Sequence, residues 1–492
     1  MKRRKFIKQS TLGSLSALTF SPALLANQPG VPGIHNRLFV GTPVLPEALY
    51  DRGIPESLDA MRELSMIRTV MTFSHDFQFR QYRPGFIHKT DQDGRPLTNI
   101  WVRTDSSRYP NRDWAYRDPN LKYADRDILD DLWSEADPRG MEVYVRILEP
   151  YVITGAIPGF HDFAEIDAKG NRSRNVCFNH PGYQSYWAAI IEDLMKNHPY
   201  LHGFKFGQER GGPILSSLGG STGTCFCEHC LRIAAKREIR AERARQGLLA
   251  LQEYGRRVNE DNYKPMDGFL IAFMRILGDF PEILHWEKLW MDSREYQKKL
   301  IYKQIKSMNP SIQVGWHIDH GMTWDLVTRT FWDYAKMGPY SDWLSVAVYF
   351  DSMGRRSLNH FNKFYRDILF ADANQNLAYA MYLNMLGFPP ENQPELSEHL
   401  NKDTSFSSDY VYRECNRAVK AVNGDAKVHA RIGFDMPGYD CIVRPKEVFE
   451  AVGAALKAGV DGLWCGREWD EIKPENAKAF GDAIRNYINQ QG

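Results

Sequence analysis

The 492-residue chain lacks a dominant charge and lacks long apolar runs. Its 62 basic and 61 acidic residues give a formal net charge of +1, which is no electrostatic footprint for nucleic acid or an anionic membrane. Beyond the N-terminus, no stretch approaches the roughly 20 apolar residues of a membrane-spanning helix. No G-x-G-x-x-G or Walker motif follows a predicted strand, which removes support for a nucleotide ligand. We therefore expect neither a nucleic-acid partner nor a membrane span in the mature chain.

The N-terminus has the composition of an export signal. Arg3 and Arg4 lie in a basic segment, and a mildly apolar stretch rich in small residues follows from Thr11 to Leu25. This pattern resembles a bacterial twin-arginine signal peptide over residues 1–26, which implies a periplasmic or secreted protein. A short membrane anchor or a basic tail is the alternative, but the stretch is too short and too rich in Ser and Thr to span a bilayer.

Cysteine is scarce, with 7 residues, yet four of them predict one site. Cys225, Cys227 and Cys230 form a C-x-C-x2-C motif, and Cys177 lies upstream. Three thiols this close cannot easily pair as disulfides, because a bridge needs Cα atoms about 4.4–6.8 Å apart. Four sulfurs at about 2.3 Å instead close a tetrahedral, structural Zn²⁺ site. His229 is an alternative to Cys177 as the fourth ligand.

Strand-like and helix-like segments alternate along the chain. Eight short β-branched and aromatic runs end in polar residues; they cover 37–42, 67–75, 142–149, 202–209, 312–319, 343–351, 427–435 and 460–468. Amphipathic stretches separate them, at 55–65, 125–138, 181–198, 282–308, 324–336, 358–371, 446–458 and 474–490. This order predicts a (β/α)₈ TIM barrel over residues 27–492, of the α/β class. The apolar run Leu377–Leu386 leaves the strand count ambiguous by one, and a doubly wound open sheet is the alternative.

Two insertions follow predicted strand ends, where barrel enzymes build their sites. Residues 77–123 predict a long ordered loop after the second strand. Residues 211–279 follow the fourth strand and contain the C-x-C-x2-C motif, so we expect a zinc-braced insertion there. A basic helix over Leu231–Arg257 is predicted to follow the motif, and its charges are interpreted as a solvated face rather than an anion site.

Polar side chains at the strand ends are the candidates for chemistry. A (β/α)₈ barrel brings its strand C-termini to one mouth, so residues distant in sequence can meet there. Carboxylates end most of the strands, and glycosidic cleavage requires two of them, one protonated for the leaving oxygen and one opposite. Helix capping is the commoner role of any single one, as for Glu149 or Asp351. The catalytic candidates are Glu209, Asp435 and Glu468, and the substrate-binding candidates are His75, Gln208, Arg210, Trp316, His317, Asp319, Tyr349, Arg467 and Trp469.

Aromatic residues make up 13% of the chain, with 12 Trp and 24 Tyr, and favour carbohydrate as the partner because sugars stack on aromatic faces.

Gln208-Glu209 at a strand end, followed by the cysteine motif with Cys177 upstream, resembles the clan A glycoside hydrolases. The likeness is nearest to family 42, the β-galactosidases, and the segment 175–230 also resembles uncharacterised exported glycosidase-like barrels. It implies that Glu209 is the general acid/base and that a zinc ion braces the loop beyond it.

The chain departs from the clan A pattern at two places. Clan A enzymes have Asn before the acid/base Glu, where this chain has Gln208. They place the nucleophilic Glu at the end of the seventh strand, where this chain has Asp435. Glu468 on the eighth strand is the rival nucleophile, and Asp319 is a third candidate.

The sequence therefore predicts an exported glycoside hydrolase that cleaves an O-glycosidic bond with two carboxylates. A barrel that binds carbohydrate without cleaving it is the second hypothesis, because the seventh strand ends differently. The third is a metal-dependent hydrolase or sugar lyase that uses His75, His317 and Asp319 as ligands or bases.

Overall fold

The computed structural model describes residues 38–76, 99–117, 119, 122–149, 157, 159–208, 210–260, 263–319, 321–398, 405–435 and 442–491. The export signal predicted over residues 1–26 and the first part of the 77–123 insertion lie outside these ranges, as does Glu209. Within them, no helix has both the length and the apolar character that crossing a membrane requires.

Eight parallel strands close into a barrel around one axis. Numbered with the other strands in chain order, they are β1 (Phe39–Pro43), β2 (Thr69–Asp76), β4 (Glu142–Leu148), β7 (Gly203–Gly207), β8 (Gln313–Ile318), β9 (Trp343–Val348), β10 (Lys427–Ile432) and β11 (Gly462–Cys465). The barrel closes because β1 pairs in parallel with β2 on one side and with β11 on the other. The predicted TIM barrel is confirmed, and the open-sheet alternative is wrong because an open sheet leaves two unpaired edges.

Within the described ranges, three short strands lie outside the barrel. The strand β3 (Asn99–Ile100) pairs antiparallel with the end of β2, and β5 (Ala164–Ile166) forms a hairpin with β6 (Arg172–Val176). This hairpin follows β4 and carries Cys177 directly after its second strand.

Helices connect the strands and cover the outside of the barrel. In the described residues they are α1 (Pro46–Arg52), α2 (Ile54–Ser65), α3 (Ile128–Ala136), α4 (Pro181–Asn197), α5 (Pro213–Leu218), α6 (Glu228–Lys236), α7 (Ala241–Glu260), α8 (Phe269–Asp279), α9 (Glu282–Met308), α10 (Gly321–Trp324), α11 (Leu326–Phe331), α12 (Phe350–His360), α13 (Gln375–Leu386), α14 (Ser408–Val422), α15 (Pro445–Lys457) and α16 (Pro474–Gln491). A π-helical turn, Phe361–Arg366, continues α12. The apolar run Leu377–Leu386 belongs to α13, so it adds no ninth barrel strand.

The basic segment after the cysteine motif is two helices rather than one. The single helix predicted over Leu231–Arg257 is wrong because α6 ends at Lys236 and α7 begins at Ala241. Glu238 adopts a left-handed conformation with φ of 58°, and the Ile239 N–H donates to the Ala234 carbonyl at 2.9 Å. This closure satisfies the last carbonyls of α6 and turns the chain into α7.

Aromatic rings fill the lower part of the barrel. Tyr144, Trp343 and Trp464 pack together with Met71, and Phe39 lies against them. The ring centroids of Trp343 and Trp464 are 5.4 Å apart. Glycines at the paired positions of adjacent strands make room for these rings: a Cβ would overlap a neighbouring aromatic ring at each of Gly41, Gly203 and Gly315.

Candidate active site

Charged side chains occupy the layer above these aromatic rings. Arg146 on β4, Lys205 on β7 and Arg431 on β10 are 6%, 0% and 2% exposed. Arg146 lies two positions after Tyr144, and strand alternation puts both on the inner face of the barrel. The Lys205 ammonium is 5.4 Å from the Trp464 ring, on the opposite strand β11, so it also points inward. The upper barrel is therefore a cationic, water-poor environment.

Glu468 lies at the mouth above this layer. Its Oε1 is 2.9 Å from Nη1 of Arg146, and the two side chains are 2% and 7% exposed. Two strands, β1 and β2, separate β11 from β4 in the barrel, so the contact crosses the mouth rather than joining neighbours. The Arg146 guanidinium also stacks 4.8 Å from the Phe73 ring, which fixes its position. Glu468 is thus a buried carboxylate held inside the strand ends.

Asp435 has a different set of contacts. Its Oδ1 accepts the Val443 N–H at 2.6 Å, and its Oδ2 is 2.7 Å from the Lys473 ammonium. Val443 lies just before α15, and Lys473 directly precedes α16. The Asp435 carboxylate therefore joins the chain after β10 to the starts of two outer helices.

The residues that flank Glu209 are described, although Glu209 is not. Gln208 is 5% exposed, and neither its Nε2 nor its Oε1 has a hydrogen-bond partner among the described residues. Most buried amides in proteins are satisfied. The Gln208 side chain therefore retains two unused donors and one acceptor beside the predicted acid/base.

Arg210 is the centre of a buried ionic cluster. Its Nη2 is 2.7 Å from Oε1 of Glu149, and its Nη1 is 3.5 Å from Oε1 of Glu165. Nη1 also donates to the Val176 carbonyl at 3.0 Å, and the guanidinium stacks 4.0 Å from the Phe178 ring. Burial raises the pKa of Glu149, and the charge of Arg210 opposes that shift. These contacts hold Arg210 in place, so we assign it a positioning role.

The four predicted cysteine ligands lie together. The Sγ atoms of Cys177, Cys225, Cys227 and Cys230, called the cysteine cluster below, all lie within 4.8 Å of one another. The Cys177 sulfur is 3.5 Å from both Cys227 and Cys230. Four sulfurs around a tetrahedral zinc at about 2.3 Å would be about 3.8 Å apart, so this spacing fits such an ion. Asn179 donates to the Cys230 sulfur at 3.3 Å, as a neighbour that supports a ligating thiolate does.

The cysteine cluster connects directly to Arg210. Val176, which accepts a hydrogen bond from Arg210, precedes Cys177. His229 does not join the cluster; its ring packs against His180 with centroids 4.7 Å apart. On the other side, the Phe226 ring stacks on Trp286 of α9 at 4.4 Å. The cluster and its neighbours therefore hold the β5–β6 hairpin, α6 and α9 together beside Arg210.

The remaining predicted substrate-binding residues divide between the mouth and the core. His75 is the penultimate residue of β2, and its Nδ1 lies 3.0 Å from Oγ of Ser74. Burial, with His198 nearby, lowers the pKa of His75 to about 3. His317 stacks on Tyr349 with centroids 6.4 Å apart. Trp316 is 1% exposed and donates to the Tyr340 carbonyl at 2.7 Å.

Trp316 thus packs between the barrel and its outer helices. Trp469 is buried in a 3₁₀ turn directly after Glu468. Asp319 follows β8 and is partly exposed. His75, His317 and Asp319 do not form a common metal-binding group in the part of the chain that the structure describes.

A cavity of about 330 Å³ opens beside the ends of β7 and β8. Arg210, Arg294, Asp319 and Lys363 are among the charged groups on its wall, with Phe364 as an aromatic face. A 330 Å³ cavity is at the lower end of the range for small-molecule sites. The cavity therefore adjoins Arg210, which follows the predicted acid/base Glu209 in the sequence.

One side of this cavity carries a hydrogen-bonded trio that the sequence analysis missed. Asp325 accepts from the Tyr365 hydroxyl at 2.8 Å and lies 2.7 Å from Nε2 of His360. The inward Arg146, Lys205 and Arg431 were missed as well. A Lys or Arg with an apolar residue on each side of it within a strand was the available signal for these three.

Known structures resemble the chain at low identity. A β-galactosidase from the psychrophilic Marinomonas ef1 matches 92% of this chain and 60% of its own, at 12% identity and a TM-score of 0.49. A β-galactosidase from the haloarchaeon Halorubrum lacusprofundi matches 92% and 58%, at 12% identity and a TM-score of 0.49. The PgaB (BpsB) glycoside hydrolase domain of Bordetella bronchiseptica matches 91% and 98%, at 10% identity and a TM-score of 0.45.

The chain spans about three fifths of the length of the two β-galactosidases. No protein-family model matches the chain, and no curated protein matches it. Its function must therefore be argued from its own residues.

Proposed function

We propose that this chain is a glycoside hydrolase whose reaction takes place at the C-terminal mouth of the barrel. The observation that carries the proposal is the buried Glu468 carboxylate, which Arg146 holds across the mouth at 2.9 Å. A carboxylate fixed in a closed barrel mouth, with a second acid predicted nearby, is the arrangement that glycosidic cleavage requires. The sugar, the linkage and the stereochemistry depend on residues beyond this pair.

Glu209 is the proposed general acid/base. It follows Gly207 by two positions and Lys205 by four, and Lys205 points into the barrel. Position 209 thus comes just after the C-terminal end of β7, where barrel enzymes place their catalytic residues. A proton donor there would protonate the leaving oxygen, provided that burial keeps its carboxyl protonated near neutral pH.

Glu468 is the proposed nucleophile or base, in preference to Asp435. The contact with Arg146 places the Glu468 carboxylate among inward-facing side chains. Asp435 instead uses both oxygens for Val443 and Lys473, which supports a role in holding the outer helices. A charge-assisted bond from Arg146 keeps the Glu468 carboxylate oriented while it attacks the anomeric carbon or activates a water.

The cysteine cluster fits a structural zinc ion. Its donor set is four buried sulfurs with spacings close to those of a ZnS₄ tetrahedron. Four thiolates leave no open coordination position, so we assign the ion a bracing role and route no chemical step through it.

We also propose export of the folded, metal-loaded chain by the twin-arginine route, which cell fractionation with and without residues 1–26 would test.

The test is a screen of the purified mature protein against aryl glycosides and plant and marine polysaccharides. The proposal predicts turnover of at least one substrate and its loss in Glu209→Gln, with substrate binding retained. No turnover by the parent protein, with sugar binding intact, would favour a non-catalytic carbohydrate-binding barrel. The engagement of Asp435 at the seventh strand, where clan A enzymes carry their nucleophile, supports that second candidate. Loss of activity on mild chelation before any unfolding would favour a metal-dependent enzyme instead.

A further inference from the structure

Two buried arginines share one tyrosine ring at the barrel mouth. The guanidinium carbons of Arg431 and Arg467 each lie 5.7 Å from the centroid of the Tyr349 ring. Arg431 is on β10, Arg467 lies two residues beyond β11, and Tyr349 directly follows β9. Three neighbouring strands therefore bring two cations to one point, and the ring supports both guanidiniums.

Several nitrogens of these two side chains are unsatisfied. Nε and Nη1 of Arg431 and Nη2 of Arg467 are buried and have no hydrogen-bond partner within the described ranges. The two residues are only 2% and 8% exposed, so water does not replace the missing acceptors freely. Burying a guanidinium without an acceptor is costly, and native proteins rarely do it without a functional reason.

The nearby carboxylates do not account for both arginines. Glu468 pairs with Arg146 at 2.9 Å. Asp351 is the strongest acidic influence on Arg467, where its charge opposes the lowering of the arginine pKa by burial. Arg431 has no carboxylate within ion-pair distance among the residues that the structure describes. Among the described residues, one of these two guanidinium charges is thus left without a matching carboxylate.

We propose that Arg431 and Arg467 form a subsite for an anionic group of the glycan, a sugar carboxylate or a sulfate ester. Planar guanidiniums with free N–H groups match the paired oxygens of such groups and are less strongly hydrated than ammonium ions. The subsite rests on the proposed glycosidase function because it lies beside Glu468. It assigns an acidic glycan as the substrate class, in preference to a neutral one.

Calorimetric titration of the purified mature protein tests the subsite without requiring turnover. The probes are sodium D-glucuronate, D-galactose 6-sulfate, D-galactose and inorganic sulfate. We expect one of the two anionic sugars to bind at least tenfold more tightly than D-galactose, and its identity distinguishes carboxylate from sulfate. We expect Arg431→Met, and separately Arg467→Met, to weaken that binding at least tenfold. Equal binding of neutral and anionic sugars, or binding of inorganic sulfate alone, would overturn the proposal.

Thermal melting of two matched variants tests whether Arg431 lacks an internal partner. Arg146→Met strands the buried carboxylate of Glu468, so its melting temperature should fall. Arg431→Met removes a buried cation with no internal carboxylate, so its melting temperature should stay constant or rise. An equal fall in both variants would show that Arg431 pairs within the chain, and would overturn the subsite.

Failure of the subsite and failure of the glycosidase proposal are distinguishable. Hydrolysis of neutral glycosides with no preference for acidic ones would retain the enzyme and overturn the subsite. Tight, Arg431-dependent binding of an acidic sugar without hydrolysis of any glycan would retain the subsite and overturn the enzyme.

Discussion

Replacing Glu149 by Gln should destabilise the protein through Arg210. The wild-type pair has an N–O distance of 2.7 Å, and the side chains of Glu149 and Arg210 are 0% and 4% exposed. Removing one member of a buried ion pair typically costs about 3–5 kcal/mol, because the other charge stays buried without its partner.

Two features place the loss of stability expected for Glu149→Gln at the lower end of this range of about 3–5 kcal/mol. Glu165 remains 3.5 Å from Arg210 and keeps one opposite charge in the cluster. The amide oxygen introduced by the substitution can still accept hydrogen bonds from Arg210 and from the Tyr183 hydroxyl, which lies 3.2 Å from Oε1 of Glu149 in the wild type. We therefore expect a loss of about 3 kcal/mol in the free energy of unfolding.

Urea unfolding followed by tryptophan fluorescence gives this free energy, with an unchanged slope as evidence that the folded state is otherwise intact. The matched control is Glu192→Gln, since Glu192 pairs with Lys196 on the surface and the two side chains are 40% and 48% exposed. Such pairs contribute about 0–1 kcal/mol. A loss for Glu149→Gln no larger than that of the control would refute the assignment of Arg210 as a buried brace.

Three further predictions concern the two candidate nucleophiles, a buried acid and the cysteine cluster. Glu468→Gln should lower turnover at least about a hundredfold, the scale of a lost catalytic carboxyl, whereas Asp435→Asn should lower it less than about tenfold and mainly reduce stability. Burial raises the pKa of Glu287 from 4.5 to about 8, so the folded chain keeps a proton that the unfolded chain releases. Stability should therefore fall as pH rises from 4.5 to about 8, and Glu287→Gln should remove that component in urea titrations at several pH values. Cys177→Ser should lower the bound zinc measured by elemental analysis, and also the melting temperature, whereas Cys415→Ala, at a buried thiol away from the cysteine cluster, should leave the zinc content unchanged.

Each of these three predictions has an outcome that would contradict it. Equal losses of turnover in Glu468→Gln and Asp435→Asn would remove the preference between the two carboxylates. Identical pH profiles of stability for the wild type and Glu287→Gln would show that Glu287 is ionised in the fold. A full zinc complement in Cys177→Ser would mean that another residue, such as His229, completes the site.

The barrel was predictable because its strands are short and apolar and alternate with amphipathic helices. Each of the eight predicted runs overlaps a barrel strand, and the predicted helix at 282–308 matches α9 residue for residue. The end of α6 was not predictable, because Glu238 takes the left-handed conformation without a Gly or Pro to mark it. Helix propensity alone predicts that the helix continues through such a residue.

The candidate site was only partly predictable. The four cysteines could be grouped from sequence because three of them lie too close together to pair easily as disulfides and four thiolates suit a metal. The contacts of Asp435 and Arg210 could not be predicted, since Lys473 and Glu149 are distant in sequence and meet them only after the barrel closes. The inward arginines were missed because a charge in a strand is ordinarily assigned to the solvent face.

The separation of the Glu209 and Glu468 carboxyl groups tests the central claim most directly. A crystal structure of the mature protein would give this distance. We expect about 5–5.5 Å for a retaining enzyme or about 6.5–9.5 Å for an inverting one, with both groups facing the barrel mouth. A separation well beyond that range, or a Glu209 side chain directed away from the mouth, would contradict the two-carboxylate mechanism.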